Sequence, residues 1–111
     1  MPSSTLTKTS RNVGTAATTV GGYSTPAVAK AVVVNLTCAN LTASQITVSV
    51  KHRDGASVDT HIVKDAPIPA GSSLSIISDG MRLNLEPGHS VNVTSNTAAS
   101  VDAIMSVVEF T

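Results

Sequence analysis

The sequence predicts an all-β fold, an antiparallel β-sandwich or jelly-roll-like barrel of about seven strands with an extended N-terminal arm. Three observations predict it. Of 111 residues, 15 are Val and 29 are Ser or Thr, side chains that suit a pleated, half-buried surface better than a helix. Apolar residues recur at period two in short runs, without the three-to-four spacing of a helix. Turn residues, Gly, Pro, Asp and Asn, interrupt the runs at intervals of about 8 to 12 residues.

The chain divides near Tyr23. Its first 25 residues hold 11 Ser or Thr and three Gly, with only Leu6, Val13 and Val20 as aliphatics. Such a segment cannot build a core alone, so residues 1–24 are expected to form an arm, about 80 Å long if fully extended. The sandwich is assigned to residues 25–111. Residues 31–39, nearly continuous in apolar side chains, read as a central strand buried on both faces. Residues 45–52 alternate, with Ile46, Val48 and Val50 on one face. The dipeptide Asp54-Gly55 turns them into a hairpin with 57–64. Pro67-Ile68-Pro69 cannot donate a regular ladder of hydrogen bonds and reads as an exposed apolar edge. A second hairpin is expected from 73–77 and 81–85 around Asp79-Gly80. Pro87-Gly88 leads into 90–94, and 101–110 is the longest strand, with Phe110 closing one end of the core.

Size and charge limit the function. A chain of 11.2 kDa is one domain, exposing about 5,700 Å² when folded and burying about 65% of its unfolded surface. Lys8, Arg11, Lys30, Lys51 and Arg53 all precede the first acid, Asp54, so a chain of zero net charge has a basic first half and an acidic second half. That polarity suits contact between neighbouring copies, or an N-terminal segment laid on an acidic surface. Nucleic acid is not an expected partner, because net positive charge and stacking aromatics are both lacking. No apolar run is long enough to span a membrane, and no apolar signal segment opens the chain, so folding in a cytoplasm is expected.

Chemistry is sparse. Cys38, the only cysteine, excludes an intramolecular disulfide and reads as a small buried hydrophobe. His52, His61 and His89 have no metal-site spacing, and there is no Gly-x-Ser-x-Gly elbow or phosphate-binding glycine loop. Asp59 and His61 share a strand face, a pairing more typical of a solvated polar surface than of a base or metal site. No enzyme activity, cofactor or metal is expected. Two aromatics, Tyr23 and Phe110, offer little on which a sugar could stack.

Four segments, 62–74 (IVKDAPIPAGSSL), 83–88 (LNLEPG), 91–95 (VNVTS) and 100–109 (SVDAIMSVVE), with the valine-rich stretch 31–50, resemble the small all-β virion structural proteins of tailed bacteriophages. The likeness covers about 80 residues, 31–109, and departs at His89, where an acidic residue is expected after Pro87-Gly88. It implies a non-enzymatic particle component present in many copies. The first expectation is a head decoration or cement protein, bound to the major capsid protein and to copies of itself as a homotrimer or other homo-oligomer. The second is a tail, collar or fibre-associated adaptor, and the third a receptor- or glycan-binding module. The location implied is the virion, assembled in the bacterial host cytoplasm. The expected contact residues are Lys8 and Arg11 on the arm, Tyr23 as its hinge, and the edge Pro67, Ile68 and Pro69.

Overall fold

The computed structural model describes residues 3–78 and 80–110. It is a sandwich of two antiparallel sheets, with nine strands and no helix among the described residues. The strands are β1 (Ser3–Val13), β2 (Thr18–Ser24), β3 (Lys30–Asn40), β4 (Ile46–Arg53), β5 (Asp59–Ile68), β6 (Ser73–Ile77), β7 (Leu83–Leu85), β8 (Ser90–Ser95) and β9 (Val101–Phe110). The first sheet runs β1-β9-β3-β6, with β7 also on β3, and the second runs β2-β8-β4-β5. The exposed area, 5743 Å², is what area scaling gives for this mass.

The segment expected to be an arm is two strands of this sandwich. β1 pairs with β9 from Ser3↔Phe110 to Val13↔Val101, and β2 pairs with β8. The boundary at residue 24 therefore separates no folded unit, and the part of the expected arm formed by Met1 and Pro2 lies outside the described residues. The physical reason is that β1 is an edge strand and needs only one partly apolar row. Leu6 packs on the core, whereas Lys8 and Ser10, which also fall on the inward row, are polar, so the alternation carries no apolar signal. Gly21 makes the corner possible. With φ +60°, it lets β2 pass so close to β1 that a Cβ there would stand 2.6 Å from that of Lys8.

Three further expectations change. β3 is buried on one face only: Ala31, Val33, Leu36 and Cys38 point inward, Val32 and Val34 outward. β6 and β7 do not form a hairpin. Both pair with the same edge of β3, β6 along its second half and β7 along its first, so the two strands lie in line on one sheet edge. Gly80 has φ +86°, and Asp79, the other residue of the expected turn, lies outside the described residues. Phe110 stands on the outer face of the first sheet, because β9 directs Val101, Ala103, Met105 and Val107 inward and Phe110 falls on the opposite parity.

The hairpin of β4 and β5 forms as expected, from Ile46↔Ile68 to Arg53↔Asp59. Its turn is longer than Asp54-Gly55 alone. The positive φ falls on Ser57, and Asp54 Oδ1 accepts the N–H of Ala56 and Val58 at 2.8 and 3.0 Å. The core between the sheets is almost wholly aliphatic, with Leu36, Met105, Val107 and Leu85 from one side and Val20, Ile46, Val48, Val93 and Ile68 from the other. Tyr23 is its only aromatic. Cys38 lies within it, and burial pushes its thiol up to about 11, which leaves it unreactive near neutrality.

Candidate assembly surfaces

No catalytic constellation emerges among the described residues. Among these residues no group of three His, Cys, Asp or Glu side chains could hold a metal ion. Asp59 and His61 lie exposed on the edge strand β5, where Asp59 makes a partly exposed ion pair with Arg53 at 3.8 Å. What the fold builds instead is a set of surfaces of contrasting chemistry.

The first surface is one end of the sandwich. Four loops meet there, 14–17, 41–45, 69–72 and 96–100, and none carries a charged residue. They are tied to one another through the backbone: Leu41 N–H donates to Ser100 O, Asn40 N–H to Ser72 O, Ser95 N–H to Gly14 O and Ser100 N–H to Val13 O, all at 2.8–3.0 Å. Asn40 is the hub. Its buried amide Nδ2 donates to the carbonyls of Ser44, Ile68 and Pro69, and its Oδ1 accepts from the N–H and hydroxyl of Thr42. Ser95 and Ser100, both buried, share a hydroxyl–hydroxyl hydrogen bond, and Ser100 donates on to Thr97 O. The end is therefore an uncharged platform tied by hydrogen bonds, mostly Ala, Ser, Thr and Gly, with Leu41 exposed on it.

At the opposite end His52 and His89 stack edge-on, with Nε2 and Nδ1 2.9 Å apart. One ring must accept, so the pair cannot be doubly protonated and keep this bond. Burial holds His52 below its ordinary 6.5, His89 adds repulsion, and the nearby Asp54 carboxylate opposes both. Asp54 itself is held below its ordinary 3.8, chiefly by the two backbone N–H groups it accepts.

The residues expected to make contacts are dispersed. Lys8 points between the sheets at the open edge, with Nζ 5.3 Å from the centre of the Tyr23 ring. Tyr23 is buried, and its hydroxyl donates to Glu109 Oε2 at 2.7 Å. Burial and that carboxylate push the phenol up to about 12. It is thus a fixed part of the β2–β9 packing and no hinge. Ile68 is fully buried, which corrects its place in an exposed apolar edge: β5 directs it into the core while Pro67 and Pro69 on either side stay exposed. Pro67 nonetheless takes part in the ladder, opposite Thr47. Arg11 is exposed, next to the bulge that ends β1, so Arg11, Pro67 and Pro69 flank the uncharged end. The loop platform itself was missed. Its signal was present in the four turn segments, each rich in Ala, Ser and Thr without a charge.

No protein-family model matches the chain, and no curated protein matches its sequence. Its fold is shared with solved structures. A chain from Bacillus endospore appendages, a family of disulfide-linked pili, superposes with a TM-score of 0.57 at 14% identity, over 99% of this chain and 87% of that one. A chain of the acid-stable capsid of Helicobacter pylori bacteriophage KHP30 superposes with a TM-score of 0.55 at 12% identity, over 98% and 87%. A chain of the T13 infectious bursal disease virus particle gives 0.55 at 9% identity over 96% of this chain, but this chain spans only 30% of that one.

Two outcomes follow for stability. Asn40→Ala leaves several loop carbonyls without a donor inside a tied end, and should lower unfolding free energy by about 2 kcal/mol in urea titrations. Asn40→Asp, which keeps the acceptor and loses the donor, should not restore it. Because the folded state holds His52 below the 6.5 of the unfolded chain, stability is complete above pH 6.5 and declines as pH falls through the folded value. Asp54 adds a second loss in the same direction, below 3.8. The urea midpoint should therefore drop between pH 7 and pH 5, and His52→Gln should flatten that step; an unchanged midpoint in the parent chain would contradict the pairing.

Proposed function

We propose that this chain is a non-enzymatic structural component of a phage virion, a head decoration or cement protein seated on the assembled capsid lattice. The observation that carries the reading is the near end-to-end likeness to a phage capsid chain, with 98% of this chain and 87% of that one superposed. The resemblance of residues 31–109 to small phage virion proteins points the same way.

The seat in this proposal is the uncharged loop end. Docking it strips water from no charge, and its loops are already ordered by mutual hydrogen bonds, so little conformational entropy is lost on contact. Arg11, Pro67 and Pro69 border it and are the proposed rim contacts with the major capsid protein. Lys8 and Tyr23, engaged with each other, serve the fold. Cementing needs no chemistry: a part that binds the assembled lattice and not its free subunits stabilises the lattice, and many copies multiply a weak contact.

The likeness to an appendage chain favours a second reading, a tail, collar or fibre-associated adaptor. A disulfide-linked assembly of the kind named for those pili would need an accessible thiol, and Cys38, the only cysteine, is fully buried. The deciding measurement is copy number and position in purified parent particles, by quantitative mass spectrometry and electron cryomicroscopy. Hundreds of copies on the head faces are expected. A dozen or fewer at one vertex would move the chain to the tail, and its absence from the particle would overturn the virion reading altogether.

A further inference from the structure

The two outer faces of the sandwich differ in a way that solvent exposure alone does not require. On the second sheet the outward rows carry Lys51, Arg53, Asp59 and His61, as a wetted face should. On the first sheet the rows between Phe110 and Asp102 read Thr5-Val108-Val32, Thr7-Ser106-Asn35 and Thr9-Ile104-Thr37, without a single charge. Ile104 is 47% exposed, Val34 38% and Phe110 36%. Charges return only at the two ends of the face. Lys30, paired with Glu86 at 3.7 Å, and Arg82 stand near Phe110, while Arg11 and Asp102 stand at the other end, Asp102 six strand positions before Val108 on the same β9.

We infer that this face is the seat of a second copy of the same chain, packed sheet on sheet across a two-fold axis at Ser106. The face complements itself under that operation. One end is a ridge of Phe110, Val108 and Val32. The other is a mainly apolar cleft lined by Thr9, Arg11, Thr37, Ala39, Asp102 and Ile104. An in-plane axis perpendicular to the strands at Ser106 lays β9 antiparallel on its counterpart, so that each Val108 meets Ile104 of the other copy and each Phe110 enters the cleft beside Asp102. The same operation brings Lys30 of one copy toward Asp102 of the other, twice, as an isologous interface requires. Sheets packed face to face stand about 10 Å apart, which these side chains fill.

The size is sufficient. Four strand positions across and ten residues along give a planar area of about 650 Å² from strand spacing and rise. Side-chain relief raises the accessible area toward the roughly 800 Å² per partner of a standard specific interface. This pairing leaves the four uncharged loops free, engages Arg11 beside them, and does not depend on the virion reading.

Sedimentation equilibrium of the full chain across the micromolar range, joined to site-specific cross-linking, tests it. The expected species has twice the 11.2 kDa monomer mass. Ile104→Lys, at an exposed position, should weaken dimerisation by about 30-fold or more, with an unchanged melting curve showing that the fold survives. A Ser106→Cys variant should be joined rapidly by a short bis-maleimide, since the two residues face each other at the axis. His61→Cys, on the outer face of the second sheet, should not be. The native Cys38, buried with its thiol raised, does not compete. A monomer throughout that range, a trimer or larger ring, or equal cross-linking of the two cysteine variants would overturn the inference.

Discussion

The structure depends on the double pairing of β9. Along its whole length this strand is hydrogen-bonded to β1 on one side and β3 on the other, and it delivers Val101, Ala103, Met105 and Val107 to the core. It also joins the ends of the chain's sequence. Thr5 and Val108 lie opposite each other, and Tyr23 from β2 reaches across to Glu109. Without the pairing to β1, β9 would be an edge, and the inner face of the first sheet would lose Leu6 and the cover that Lys8 supplies. The polar N-terminal segment is held in place by a neighbour whose inward row is apolar enough for both.

A core made of Val, Ile, Leu and Met, with one tyrosine, places a limit on what the surfaces can do. Among the described residues small aliphatic side chains fill the space between the sheets, and the clefts beside Ile104 and Phe110 open on the outside of the first sheet. The outside is then differentiated by strand parity. Hydroxyl and aliphatic residues alternate on the first sheet, charged and hydroxyl residues on the second, and the loops at one end carry neither charge nor large aromatics. Edge strands are guarded against the addition of a further strand. Lys8 turns inward on β1, Gly21 and Gly22 bend β2, Pro67 and the bulge at Asp65 interrupt β5, and β6 and β7 are short separate strands.

Much of the fold can be read from the sequence, because period-two alternation survives wherever one face is buried and the other wet. That is why β4, β5, β8 and β9 stand close to their expected places, Ile46, Val48 and Val50 above all. The N-terminal strands could not be read this way, since before the bulge that leads to Val13 only Leu6 on the inward row of β1 is apolar; the repeated β-branched Thr5, Thr7 and Thr9 are the remaining trace. The β6–β7 pair failed for a different reason. A Gly in a short connection signals a change of direction, but a bulge and a reversal use the same residue, and only the free edge of β3 decides between them. The surfaces were legible residue by residue and not as surfaces. Ile68 looked exposed because it sits between two prolines, and the four loops of the platform lie 25 or so residues apart until the strands bring them together.

Native-state hydrogen exchange on the isolated chain tests most directly whether the N-terminal segment belongs to the sandwich. The amides of β1 that face β9 should be protected together with those of β9 and β3, and should open with them as one unit, since they share a ladder. Exchange of residues 3–13 at the rate of an unstructured peptide, with β9 and β3 still protected, would contradict the account and return the segment to a free arm.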